Sequence, residues 1–391
     1  MNIFTRLLQS QKTKRLTKAE LVNGTTATFT SWNGNAYAND IYRGAVDAIA
    51  RNAGKLKGAH IVKYNGEKKE TSDQRLNKLL QVSPNQYMNA YDFIYKLTTH
   101  YYLYNNAFAF INRDGNGNVV SLFPITCTQA DFLADTVGEL YTQFRFRDGK
   151  TVILPYKDII HIRRNFNADE LLGDNNEALS PALELAHTQN EGIINGIKSS
   201  ANIRGILKYT QLLAPEKLEA EKEKFINDYL SMNNSGGVVV VDPKTEYTPI
   251  TSSVTVIDAE QLKTVQAKIY DYLGITEKIV NSSYNEDEYN SFCESVLEPI
   301  ALQLSLEFSR KIFTERELAF GNSIVFDSGR MIYSNNKTKV TLIKELLPYG
   351  VLTINQALEI LNLPTVADGD KRLQTLNVVD AEKANQYQLE G

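Results

Sequence analysis

From Asp258 to Phe313 the chain carries two helical patterns separated by one polar interruption, and this restricts its architecture more than any other stretch. Asp258 stands where a helix cap would sit, and Gln261, three residues on, can return the bond as in a capping box. Leu262, Val265, Ile269 and Leu273 then recur at helical spacing, and Gly274 supplies a stop. Ile275 to Asp287 is rich in Asn, Ser and Glu and reads as a polar break. From Glu288 a second stripe runs through Tyr289, Phe292, Val296, Ile300, Leu304, Phe308 and Ile312, with Pro299 in its middle. A proline there removes a backbone donor and crowds the preceding turn, so a kink is expected. Two helices joined by a polar hinge, with no catalytic group nearby, suggest moving machinery more than a reaction site.

Composition sets the outer limits. A length of 391 residues suits roughly two to three domains, and a chain of that size buries about three quarters of its surface. With 42% hydrophobic and 23% charged residues the usage is that of a globular protein. Net charge is −4 and the pI about 5.8, whereas a protein that grips DNA through its phosphates carries a basic field. Sequence-reading DNA binding is therefore disfavoured, while a surface past which DNA slides remains allowed. Cys127 and Cys293 are far apart and form no ligand-spaced set, which disfavours disulfide scaffolding and structural zinc and makes a reducing cytosol the default. No run reaches the ~20 apolar residues of a membrane span, so no membrane association is expected. Arg6, Lys12, Lys14, Arg15 and Lys18 follow a brief apolar patch, the wrong order for a secretion signal. Residues 1–30 read instead as a mobile basic arm.

Periodicity then places the elements. A helix is expected from Ile41 to Gly54, a strand over 59–64 closed by Asn65-Gly66, and a short helix through Leu76, Leu79 and Leu80. Phe93 to Tyr104 is helical in spacing, and 107–111 with 119–123 around Asp114–Asn118 read as a hairpin. Short strands follow at 140–147, 151–154 and 159–162, giving a mixed α+β region without βαβ alternation. Ser180 as cap and Pro181 at the first position open a helix to about Ser200. Between 203 and 250 lies a compact insert: strand 203–209, a Glu/Lys helix 215–232, a turn at Asn233–Gly237, strand 238–241 and a strand at 247–250. A strand at 323–326 and helices at 340–347, 354–361 and 381–386 complete the chain. His60, His100, His161 and His187 have no metal-ligand spacing, and no phosphate-binding glycine loop or nucleophile elbow occurs. Asp287-Glu288 and Asp368 with Asp370 read as a solvated helix start and a loop.

The order of several short motifs resembles the phage portal proteins of the HK97 type. Leu79-Leu80 through Ser83-Pro84-Asn85 is similar to the family's "LL..PN", and Tyr104 to Ile111 to its "GNAY..I" strand, with Asn105 in place of Gly. Leu172-Gly173 and Leu179-Ser180-Pro181 resemble "GxSPL" with stretched spacing. Tyr247 to Ile250 looks like "Y.P", and Lys268 to Ile275 like "IA..FGVP" with Thr276 for the proline. Tyr349 to Ala357, then Leu363-Pro364 and Gly369-Asp370, resembles "G..T.NE.R...GL.P...GD", with Gln356 and Leu358 for the usual Glu and Arg. The resemblance spans about residues 38–375.

It implies an α+β portal fold and a dodecameric ring at one capsid vertex, in the virion and, during assembly, in host cytoplasm. On that reading 31–179 with 316–335 form a mixed α/β wing, and 181–200 with 253–274 a two-helix stem. Residues 203–252 form a small α/β clip facing a packaging motor and later the tail adaptor, with Lys217, Glu221, Lys222, Lys224, Asn233 and Asn234 as docking residues. A tunnel loop at 275–287 would present Asn281, Ser282, Ser283, Tyr284, Asn285, Glu286 and Asp287 to passing double-stranded DNA. The kinked helix 288–315 would support it, and 336–391 would form an α-helical crown. Implied partners are the terminase large subunit, a head–tail adaptor, and major capsid and scaffold proteins. No cofactor, metal or enzymatic activity is implied. Polar and acidic loop residues suit a slippery bore, since each neutralised phosphate adds affinity and so friction. Another head–tail structural protein, or a metal-dependent nuclease or hydrolase using the scattered acids, remain the alternatives.

Overall fold

The computed structural model describes residues 19–21, 29–30, 36–64, 67–70, 74–201, 205–209, 220, 245–249, 259–327, 336–361 and 363–374. The basic residues of the arm, the turn at 65–66, nearly all of the insert helix, the strand at 238–241, the cap Asp258 and the helix at 381–386 lie outside them.

Helix α1 (Asp40–Ala53) is capped by Asn39, whose side chain accepts from the Tyr42 amide. Strand β3 (Lys57–Tyr64) pairs antiparallel with β4 (Glu67–Glu70) on one edge and with β13 (Asn322–Asp327) on the other. A segment distant in sequence thus completes the first sheet. After α2 (Gln74–Gln81) and α3 (Ala90–Tyr104) come β5 (Asn106–Arg113) and β6 (Val119–Ile125), the expected hairpin, joined on β5's other edge by β10 (Ile159–Arg163).

Strand β5 shows why its sequence is AFAFI. Ala107, Ala109 and Ile111 face the core shared with α1, α3 and the long C-terminal helices, while Phe108 and Phe110 face a second core. Alternating sides of a pleat carry these two sets, so small residues meet helices and large ones meet another sheet. That second sheet contains β7 (Gln129–Asp135), β8 (Leu140–Arg145) and β9 (Thr151–Pro155). Its Ala130, Phe132 and Phe144 close the second core and are fully buried.

Strand β7 has no counterpart in the sequence reading. It has four consecutive buried residues, Ala130 to Leu133, so the alternation that reveals a half-exposed strand is missing. Its outer edge pairs with β1 (Ala19–Leu21) and β2 (Phe29–Thr30). Two pieces of the expected arm at 1–30 thus cover a sheet edge whose amides and carbonyls would otherwise lack partners, while its basic residues lie outside the described residues. Among the described residues every strand pairing is antiparallel, in keeping with the absent βαβ alternation.

A 3₁₀ turn over Glu177–Leu179 runs directly into α4 (Ser180–Ala201). Ser180 has φ −52° and ψ −46°, a helical conformation, so it is not the expected cap, a position that requires extended backbone. The insert's strands β11 (Gly205–Tyr209) and β12 (Thr245–Pro249) pair antiparallel. α4 packs on α5 (Ala259–Leu273).

The second helical stripe is one uninterrupted helical run, from Glu286 to Ile312 rather than over 288–315. It consists of α7 (Glu286–Phe292), a five-residue π turn over Cys293–Leu297, and α8 (Glu298–Ile312). Pro299 directly follows the π turn, where a proline removes one backbone donor from the helical ladder. All seven stripe residues are buried, and α8 packs on β13 and β10. Phe313 is extended, and α9 (Glu315–Ala319) starts afresh at the Thr314 cap.

The C-terminal part contains α10 (Asn336–Leu346) and α11 (Ile354–Ile360), as expected. It is not purely helical: β14 (Tyr349–Thr353) and β15 (Arg372–Gln374) form an antiparallel ribbon with a bulge. Tyr, Val and Thr favour a strand in β14, and Gly350 takes the left-handed φ of 70° that only glycine adopts freely.

Candidate functional site

The end of α5 and the residues that follow it are placed by two different kinds of contact. Gly274, with φ 72°, reverses the chain after α5, and the Ile275 amide bonds back to the Tyr270 carbonyl at 3.0 Å. The break expected over 275–287 contains a helical turn, α6 (Glu277–Val280), and α7 begins two residues before the expected Glu288. The cause is apolar anchoring: Ile275 and Ile279 are buried, and Val280 packs on the same core. Asn285 closes a capping box with Glu288, the two bonds measuring 2.8 and 3.0 Å. Lys278 reaches Glu288 across the turn. That ammonium, and then the Asn285 amide, hold the Glu288 carboxyl below its usual range. Tyr284 stacks on Tyr289 with ring centroids 4.8 Å apart.

What remains exposed is a short apex. Asn281, Ser282, Ser283, Asn285 and Asp287 face solvent, and Ser282 takes a left-handed φ of 57°. Tyr284 and Glu286 are half-buried, so the expected seven-residue presenting surface contracts to five, with Glu286 and Asp287 in the first turn of α7. Lys278 is the single basic residue from 275 to 287. Acids in that first turn favour the helix start.

A polar junction holds the other side of α5's last turn. α3 ends in Asn105, at φ 52°, a conformation only glycine and asparagine adopt readily. This accounts for Asn105 standing where the related motif has Gly. Its Nδ2 donates to the Asp174 carbonyl at 2.6 Å and to Asn176 Oδ1 at 2.9 Å. Asn176 Nδ2 donates to the carbonyls of Tyr102 and Leu103, both at 3.0 Å. Asn176 Oδ1 also accepts from the Tyr272 hydroxyl at 2.8 Å. Asn106 bonds the amide and the carbonyl of Gly173 at 2.9 and 3.0 Å. A Cβ on Gly173 would lie 2.2 Å from the Arg164 carbonyl oxygen and 2.5 Å from that of Asn105. Arg164 donates to the Tyr272 carbonyl at 2.7 Å, its guanidinium lying over the rings of Tyr102 and Tyr272.

The motif at 349–370 has an equally local explanation. Thr353 caps α11 in a capping box with Gln356, which does the work of the usual Glu. Asn355 bonds to the Val366 amide at 3.0 Å and to Asp370 at 3.0 Å, while its own amide donates to the Gly369 carbonyl at 2.8 Å. A Cβ on Gly369 would strike Asn355 Oδ1 at 2.1 Å. The "N" and "G" of that motif are thus one clamp.

The docking residues expected at Lys217, Glu221, Lys222, Lys224, Asn233 and Asn234 lie outside the described residues. Asn176 and Tyr272 received no role from the sequence; the left-handed demand at Asn105, announced by an Asn where the motif has Gly, was the available signal. Among the described residues no group of three or more His, Cys, Asp and Glu could hold a metal ion.

This antiparallel α+β body, with a helix pair, a small insert and a polar apex, has a fold also found in particle necks and portal structures. A chain in the neck of a native gene transfer agent particle, computed with C12 symmetry, is similar at a TM-score of 0.60 and 15% identity, over 85% of this chain and 92% of that one. An HK97-family phage portal protein from Corynebacterium diphtheriae is similar at 0.51 and 11% identity, over 77% and 98%. The portal protein of Enterobacteria phage HK97 is 21% identical over 81% of this chain and 76% of its own length. The probable portal protein of Lactococcus phage p2 is 22% identical over 65% of this chain and 66% of its own. A family model described as phage portal protein matches residues 40–362, from α1 to just past α11, and the chain belongs to that family.

Proposed function

We propose that this chain is one subunit of a closed ring, a dodecamer, at one capsid vertex, joining head to tail and passing double-stranded DNA during packaging and ejection. The observation that carries this reading is the match of a single portal family model across residues 40–362. The likeness to a neck with C12 symmetry supports the ring number. The β13–β3 pairing supports grouping 316–335 with 31–179 as a wing, and the packing of α4 on α5 supports their pairing as a stem. β11 and β12 frame 203–252 as the clip, which would meet the terminase large subunit and then a head–tail adaptor. The apex at 281–287 would line the bore, with α7, the π turn and α8 behind it and 336–391 as the crown. The wing would contact major capsid and scaffold proteins.

Among the described residues no helix is long and apolar enough to cross a membrane. In the apex, uncharged and acidic side chains minimise phosphate neutralisation, so sliding friction stays low. Electron microscopy of the purified chain tests the ring: closed, symmetric particles are expected. A chain that stays a single copy at every concentration and ionic condition would reject the reading.

A further inference from the structure

Helix α8 lies against two sheets and meets the outer strand of each. β10 is the edge of the sheet it forms with β5 and β6, and β13 the edge of the sheet it forms with β3 and β4. An edge strand presents amides and carbonyls that need partners once they are buried. α8 supplies such partners from its side chains.

Toward β13 it presents Ser305 and Ser309, about one turn apart. The Phe326 amide donates to Ser305 Oγ and the Ile324 amide to Ser309 Oγ, both at 2.8 Å. Each hydroxyl also lies 2.6 Å from the carbonyl four residues back, Ala301 for Ser305 and Ser305 for Ser309. A hydroxyl has one proton, and giving it to that carbonyl leaves the lone pairs free to accept from the strand. Toward β10 the helix presents Gln303, Glu307 and Lys311, again four apart and on its opposite side. Gln303 Nε2 donates to the Arg163 carbonyl at 2.9 Å, and Glu307 accepts from the His161 amide at 3.2 Å. Lys311 Nζ donates to the Tyr156 carbonyl at 2.6 Å, just ahead of β10.

A helix by itself has no use for these residue types at these places. Serine is a poorer helix former than alanine, and its bond to the fourth carbonyl back weakens a helix slightly. Glu307, Ser309 and Lys311 are only 8% to 9% exposed, and apolar side chains there would avoid burying charge.

We propose that α8 stands in for a neighbouring strand at both sheet edges, with Ser305, Ser309, Gln303 and Glu307 as positioning residues that fix its rotation and height. The helical run continues without interruption through the π turn into α7. The same bonds therefore set where the foot of the apex stands. A single copy of the chain suffices for this, so the proposal does not depend on the ring reading.

Hydrogen exchange on the full chain, resolved to single amides by fragmentation mass spectrometry, tests it. Ser309→Ala should speed exchange of the Ile324 amide at least about tenfold and leave Phe326 within about threefold, while Ser305→Ala should do the reverse. Both amides moving together, or neither moving, would overturn the proposal, because the hydroxyls would then not act one to one. Glu307→Ala should speed the His161 amide by a like factor, whereas Glu307→Gln, which keeps an acceptor oxygen, should not. Equal effects of the two would overturn the β10 half. The serine pair also predicts a sign: the double alanine variant favours the helix yet should lower the urea midpoint. A midpoint at or above wild type would show that the edge does not need the hydroxyls.

Discussion

The junction around Asn105 and Gly173 and the apex around Asn281 and Ser283 flank the same end of α5, yet they are built in opposite ways. At the junction, amide side chains meet backbone carbonyls at 2.6 to 3.0 Å, and a glycine sits where no methyl fits. At the apex the side chains are short, polar and exposed, above two buried isoleucines. A frame that tolerates little change thus carries a tip that tolerates much. Stability resides where backbone groups must be satisfied out of water, and freedom where water can do the satisfying.

Gly173→Ala should produce the largest loss. Contact of a Cβ with two backbone oxygens forces the 165–176 loop away from α3, at a cost of at least about 3 kcal/mol. A urea midpoint equal to wild type would erase the distinction between the two regions. Asn105→Ala comes next, at about 2 to 3 kcal/mol, since it removes two bonds and replaces a residue that tolerates left-handed backbone by one that does not. Asn105→Gly should be more stable than the alanine variant by about 1 kcal/mol, as glycine meets no left-handed penalty; thermal unfolding of the pair decides it. Tyr272→Phe removes one hydroxyl bond to Asn176 and should cost about 1 kcal/mol.

On the apex, Asn281→Lys with Ser283→Lys should leave stability within about 0.5 kcal/mol. It should nevertheless slow DNA translocation in a packaging assay and give a salt-dependent retention on DNA. Unchanged packaging would argue that this apex does not face the duplex. The smallest effect belongs to Glu288→Gln, which keeps the bond to the Asn285 amide but loses the charge that meets Lys278. Because the folded carboxyl is held below its ordinary 4.5, the unfolded chain takes up this proton first as pH falls. The stability it contributes is therefore present above about pH 4.5 and is lost below it. The difference between wild type and Glu288→Gln should shrink in the same direction, as urea melts at pH 3 and pH 7 would show.

Much of the fold was legible because its signals are local. α1, α3, the β5–β6 hairpin, α5 with its Gly274 stop and the stripe from Tyr289 to Ile312 each announce themselves within a dozen or so residues. The elements that escaped were specified from elsewhere in the chain. β7 is buried on both faces, and α6 exists because Ile275 and Ile279 found a core to enter. The π turn also escaped, since a spacing of four fits an α-helix about as well as a wider turn.

What the amino-acid order determined by itself was the succession of elements, the family resemblance and the lean in charge from 275 to 287. Tertiary structure alone decided that β13 returns to β3, that Asn176 and Tyr272 lock α5 to the end of α3, and that only the tip of the expected loop is open to solvent. Periodicity and turn chemistry act over one or two turns of chain. Long-range pairing and burial depend on which surfaces meet after collapse, and no window of sequence contains both partners.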